Sequence, residues 1–157
     1  MSRIPEFGRR GEGWVALQLF LFGAIVGCSF AGVYWPHAAE SFLAVLGFVV
    51  AAAGLVALVL GAVALGRSFT PLPRPHARAQ FREGGPYRFV RHPIYGSVIL
   101  VAFGWSIAEA PVALAPSGLL AVLFDLKSRR EEAWLVERYP AYASYRERTR
   151  RFVPLIY

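Results

Sequence analysis

Charge is scarce in this chain. Of 157 residues only 17% are charged, 10 of them Asp or Glu, where a soluble domain carries about 25% charged residues. Cysteine occurs once, as Cys28, which excludes a disulfide scaffold. That thiol lies inside an apolar run, where it reads as a small buried hydrophobe rather than a reactive group. Internal repeats and low-complexity tracts are also missing. What the chain does have is apolar residues, at 56%, and a mean hydropathy of +0.44.

The apolar residues are gathered into runs. Trp14 to Trp35 gives 22 consecutive residues without a charge, and Ser41 to Gly66 gives 26. Both exceed the roughly 20 residues that span a bilayer as helix, and the first is too long for the h-region of a secretory signal. Pro93 to Ala108 and Ala110 to Phe124 are shorter, at 16 and 15 residues, and reach only about 23 Å at 1.5 Å per residue. They read as a short hairpin, the second limb of which is free to continue past Phe124, because 125–138 contains no Gly or Pro. A large soluble catalytic domain is excluded, and the expected fold is an all-α integral membrane bundle of about four helices.

The basic residues orient it. Arg3, Arg9 and Arg10 precede the first span, six arginines from Arg67 to Arg91 lie in the middle loop, and eight basic residues run from Lys127 to Arg151. None falls in the two short connections, so the positive-inside rule puts both termini and the middle loop in the cytosol. The net charge of +7 follows from topology and attraction to anionic lipid, and no nucleic acid is needed to explain it. Short exterior loops suit a multi-pass protein of a bacterial inner membrane, with the endoplasmic reticulum as the alternative. The division expected is residues 1–66 as an N-terminal tail and two scaffold helices, and 67–157 as the functional core. Gly23 and Gly27, one turn apart, have the small-xxx-small spacing of close helix approach, which suits a homodimer.

Chemistry concentrates between Gly84 and Gly96, where the cytosolic loop meets the third apolar stretch. Pro93 suits the first position of a helix, which places His92 at the helix entrance and Tyr95 on the same face. The free amides of that first turn, beside Arg88 and Arg91, make a mouth fit for a carboxylate or phosphate. Arginines as headgroup anchors and tyrosines as an interfacial belt account for each residue singly. They do not account for so many within one window of prolines and glycines. Glu131 and Glu132 stand at the cytosolic end of the fourth helix, pointing about 100° apart, so one can face a ligand while the other pairs with arginine. A solvated helix face with i,i+4 ion pairs is the plainer alternative.

The Arg91-His92-Pro93-x-Tyr95 element, the hairpin, the Glu131-Glu132 pair and the final Tyr139 to Pro154 stretch together resemble the isoprenylcysteine carboxyl methyltransferase family and its phospholipid methyltransferase relatives. The resemblance runs over about Gln80 to Pro154. It implies S-adenosylmethionine bound at the cytosolic membrane face, leaving as S-adenosylhomocysteine, with cofactor contacts at Tyr87, His92, Pro93, Ile94, Tyr95, Glu131 and Glu132 and further ones at Gln80, Phe81 and Arg82. Within that scheme Arg91 and the helix entrance hold the methionine carboxylate, a glutamate takes the ribose or amino group, and Tyr87 or Tyr95 meets the adenine. The donor carries its own activated methyl, so no metal is required and alignment is the protein's main task. The acceptor expected is a lipid or lipophilic molecule entering from the bilayer, steered by Lys127 with Glu131; an amine acceptor needs a base, either His92 or a glutamate. The rivals are an NADPH-dependent membrane reductase of the steroid or isoprenoid type and a non-enzymatic membrane scaffold.

Overall fold

The computed structural model describes residues 11–66, 81 and 83–154. Five α-helices follow in order: α1 Glu12–Cys28, α2 His37–Leu65, α3 Pro93–Glu109, α4 Leu114–Arg138 and α5 Tyr142–Arg148. Two short 3-10 turns, Gly85–Arg88 and Pro111–Ala113, lead into α3 and α4. Among the described residues the only extended pairing is an isolated parallel bridge between Val90 and Arg150. The proline-rich stretch at 70–75 lies outside the described residues.

Among the described residues two helices, His37–Leu65 and Pro111–Arg138 with its 3-10 entry, are long and apolar enough to cross a membrane. Two shorter apolar helices, α1 and α3, have 17 residues each. α1 begins at Glu12, ahead of the first uncharged run, and stops within it at Cys28, while Gly32 further on takes a left-handed φ of +69°. The fourth helix behaves the other way and continues past its apolar part to Arg138. Tyr139 then turns extended, the conformation favoured before a proline such as Pro140.

Packing is organised around glycine. The buried residues of α2 are Gly47, Gly54 and Gly61, seven apart and therefore on one stripe. A Cβ on Gly47 would lie 2.4 Å from the Ala108 nitrogen, and one on Gly104 2.4 Å from that of Ala51, so the backbones of α2 and α3 touch directly. The remaining faces of α2 present Phe42, Val45, Val49, Val56 and Val63 outward, the pattern of a helix facing lipid rather than water. Gly23 and Gly27 of α1 are not used this way, since a Cβ on either would meet nothing.

On the other side, Trp14, Leu21 and Ile25 of α1 close with Leu120, Leu123 and Phe124 of α4 and Ala102 of α3 into the core. Ser106 and Ser117, both fully buried, share a 2.8 Å hydrogen bond between α3 and α4, an interhelical tie suited to an apolar surrounding. Trp35 Nε1 donates to the Ile107 carbonyl at 2.8 Å, anchoring the segment before α2 to the outer end of α3.

Candidate functional site

The polar end of the α3–α4 hairpin is assembled by three pieces of chain. Pro93 opens α3 with His92 as its cap residue. Segment 149–151 then runs beside 89–92: Arg91 N–H donates to the Arg150 carbonyl at 2.8 Å, His92 N–H to that of Arg151 at 3.0 Å, and Arg150 N–H to that of Phe89 at 3.3 Å. The inner turns of α4 bring Glu131 and Glu132 to the same place.

The two carboxylates are held differently. Glu132 Oε1 accepts from Arg91 Nε at 2.9 Å and Arg151 Nε at 3.4 Å, and lies 3.2 Å from His92 Nε2. Its side chain and that of His92 are each only 5% exposed. Glu131 Oε2 accepts the Tyr95 hydroxyl at 2.8 Å and lies 3.8 Å from His92 Nδ1. The imidazole thus stands between the two carboxylates with one nitrogen toward each. It is stacked on Tyr95, with centroids 5.4 Å apart and planes 1° from parallel, and Tyr95 stacks in turn on Phe124 at 4.8 Å.

Arg91 is engaged by the fold through two of its nitrogens: Nε donates to Glu132, and Nη1 to the carbonyls of Arg146 and Thr149. Lys127, 1% exposed, donates to Gln18 Oε1 of α1 at 2.9 Å and lies 5.2 Å from the Tyr95 ring centroid. Tyr87 is buried in the 3-10 turn, and burial together with the Glu131 carboxylate holds its phenol well above the ordinary range. Its carbonyl accepts the Tyr145 hydroxyl at 2.6 Å.

Of the residues singled out in the sequence, Tyr87, Arg91, His92, Tyr95, Lys127, Glu131 and Glu132 converge on this cluster. Pro93 and Ile94 turn elsewhere: Ile94 packs toward Gly61 of α2, and Pro93 lines an apolar cavity. Phe81 lies in an aromatic group with Tyr139, Tyr142 and Tyr145. Gln80 and Arg82 lie outside the described residues.

That cavity, of about 760 Å³, opens between α2, α3, α4 and the final segment, with Leu60, Phe89, Gly96, Val122 and Phe152 on its walls. Asp125 is the one charged side chain lining it among the described residues. Arg151 ties the two regions together, binding Asp125 Oδ1 at 2.7 Å with one nitrogen and Glu132 with another. The Phe152 ring stands between, 6.1 Å from that of His92.

Sequence reasoning counted Arg151 only as topology and did not single out Asp125, Tyr142 or Thr149. The proximity of residues 89–92 and 149–151 rests on main-chain pairing between segments far apart in the chain, which leaves no local pattern. The one available signal was the aromatic spacing Tyr139, Tyr142, Tyr145 after α4.

An apolar helical bundle whose buried charges are confined to one helix-pair end, beside an apolar cavity, defines a membrane protein with a built polar site. The phospholipid methyltransferase family model matches residues 42–142, and the chain belongs to that family. Its class of activity is therefore methyl transfer at a membrane. No curated protein matches the chain.

Proposed function

We propose that this protein moves a methyl group from S-adenosylmethionine to a lipid or lipophilic acceptor, a phospholipid amine or an isoprenylcysteine-like carboxylate, at the cytosolic face of the membrane. The observation that carries the reading is the juxtaposition of a buried His92–Glu131–Glu132 cluster with an apolar cavity of about 760 Å³, joined through Arg151 and Phe152. A water-soluble donor and a lipid-borne acceptor need such neighbouring compartments, one polar and one apolar.

The donor set fits the cofactor. A sulfonium cation with an amino acid and a nucleoside attached calls for carboxylates, aromatic faces and hydrogen-bonding groups, and Glu131, Glu132, Tyr87, Tyr95 and His92 provide them. When bound, S-adenosylmethionine supplies an already activated methyl group. The chain's own task is alignment and exclusion of water.

Arg91, with its donors directed to Glu132 and two carbonyls, positions the carboxylate and the turn around it. Glu131, held by one oxygen, keeps the other toward the ligand. His92 takes the proton from an amine acceptor, with the carboxylates on either side stabilising the imidazolium that forms. Lys127, buried beside Tyr95, attracts an anionic acceptor group. In this scheme residues 67–157 carry the chemistry, and α1 contributes Gln18 to hold Lys127.

The test is calorimetric titration of the detergent-purified protein with S-adenosylhomocysteine, with NADPH alongside. Saturable binding of the former, weakened at least tenfold by His92→Ala and Glu132→Gln, is the expected result. Binding of NADPH alone would move the protein to the reductases, and binding of neither would leave a scaffold role.

A further inference from the structure

Tyr142 is 2% exposed, yet its hydroxyl, fully buried, has no hydrogen-bond partner among the described residues. Buried hydroxyls are nearly always paired, and an exception calls for an explanation, a water, an ion or a ligand that completes the bond among them. The surrounding groups narrow it. Tyr142 stands among aromatic rings, with Phe81 at 5.5 Å and Tyr145 at 5.6 Å between centroids, and Phe81 is itself stacked on Tyr139 at 5.8 Å.

The helix bearing Tyr142 is tied to the polar cluster, since Tyr145 donates to the Tyr87 carbonyl and Arg91 donates to the carbonyls of Arg146 and Thr149; in keeping with this, burial and then the Glu132 and Glu131 carboxylates raise the Tyr142 phenol, and the Arg91 guanidinium opposes them. The hydroxyl is bonded to none of these groups. Glu132 Oε1 already takes Arg91 and Arg151, and Glu131 Oε2 takes Tyr95. The apolar cavity is not its destination either, since none of Phe81, Tyr139, Tyr142 and Tyr145 lines it.

We propose that the Tyr142 hydroxyl hydrogen-bonds the adenosine half of the methyl donor, with Phe81, Tyr139 and Tyr145 forming the aromatic wall beside it. The inference rests on the donor reading given above and adds a residue and a location to it. The amino-acid half of the donor carries charge and suits the carboxylate and guanidinium groups. Adenosine is flat and neutral, and aromatic rings stack on a base irrespective of charge. A neutral phenol facing that wall supplies the hydrogen bond that such a ligand needs and that the fold leaves unmade.

The experiment compares wild type with Tyr142→Phe in the full-length, detergent-purified protein, using S-adenosylhomocysteine and 5′-methylthioadenosine, which lacks the amino-acid end. Tyr145→Phe, which removes the bond to the Tyr87 carbonyl, serves as the structural comparison. Expected for Tyr142→Phe is an unliganded melting temperature equal to or above wild type, because no partner inside the fold loses its bond. Both ligands should bind about tenfold more weakly, the worth of one hydrogen bond. Tyr145→Phe should instead lower the unliganded melting temperature. Equal binding of both ligands by Tyr142→Phe would overturn the proposal, as would weakening confined to S-adenosylhomocysteine, or a fall in its unliganded melting temperature. Wild-type protein that binds neither ligand would overturn the donor reading itself, whereas wild type that binds while Tyr142→Phe binds equally well removes only the role of Tyr142.

Discussion

At the scale of single residues, Glu131 and Glu132 are adjacent in sequence and unlike in their surroundings. Glu132 gathers Arg91, His92 and Arg151 on one oxygen, whereas Glu131 takes one hydroxyl. Glu132→Gln therefore removes the charge partner of a nearly buried arginine and should cost about 3–5 kcal/mol of stability. Glu131→Gln keeps an acceptor for Tyr95 and should cost within about 1 kcal/mol, while under the proposed function both substitutions should impair methyl transfer. Thermal unfolding and activity measured on the two variants together check this. That His92 and Tyr95 share a face was legible in the sequence, because a proline at the helix start and a three-residue spacing fix where those side chains emerge, whereas the glutamates were joined to them only through the family resemblance. The role of Arg151 was not legible. An arginine among eight basic residues carries no mark of which one folds back to a carboxylate.

Among the elements, the contact between α2 and α3 depends on backbone approach at Gly47 and Gly104. Gly47→Val should disrupt it, at a cost of about 3 kcal/mol or more, because the intruding atoms meet main chain rather than a flexible side chain. Gly23→Ala, on the open side of α1, should stay within about 0.5 kcal/mol of wild type. Unfolding of the detergent-solubilised variants reads both. The sequence pointed to the pair at Gly23 and Gly27, four apart, while the glycines that pack are those spaced by seven along α2. In helices rich in glycine and alanine either spacing permits close approach, and only the partner helix decides between them. The short final segment has its own expectation. Arg151→Ala, by releasing Asp125 at the cavity edge and Glu132 at once, should raise the KM for a lipid acceptor more than it lowers kcat, and Arg151→Lys should restore part of the loss.

For the whole molecule, the helical class and the long apolar spans were readable from the charge-free runs alone, since period and length suffice where no water is present. Helix ends were less so. The first run stays uncharged for seven residues after α1 has stopped, and hydropathy does not record the point where glycine lets the chain turn. Stability of the folded whole also carries a pH signature. Burial raises the phenols of Tyr87, Tyr142 and Tyr145, the largest cause in each case. The folded chain therefore keeps protons that the unfolded chain releases near its ordinary pKa of about 10. Stability should fall as pH rises past about 10, and Tyr145→Phe should flatten the slope in an alkaline melting series. The junction at Glu132 has a last consequence, for biosynthesis. Its partners come from residues 91–92 and from residue 151, so the polar cluster stays unfinished after both limbs of the hairpin have been inserted and closes only when the segment bearing Arg151 has left the ribosome. Competence arrives as the final event of translation of this region, and a nascent chain halted before that point would sit in the membrane with its helices in place and its chemistry silent.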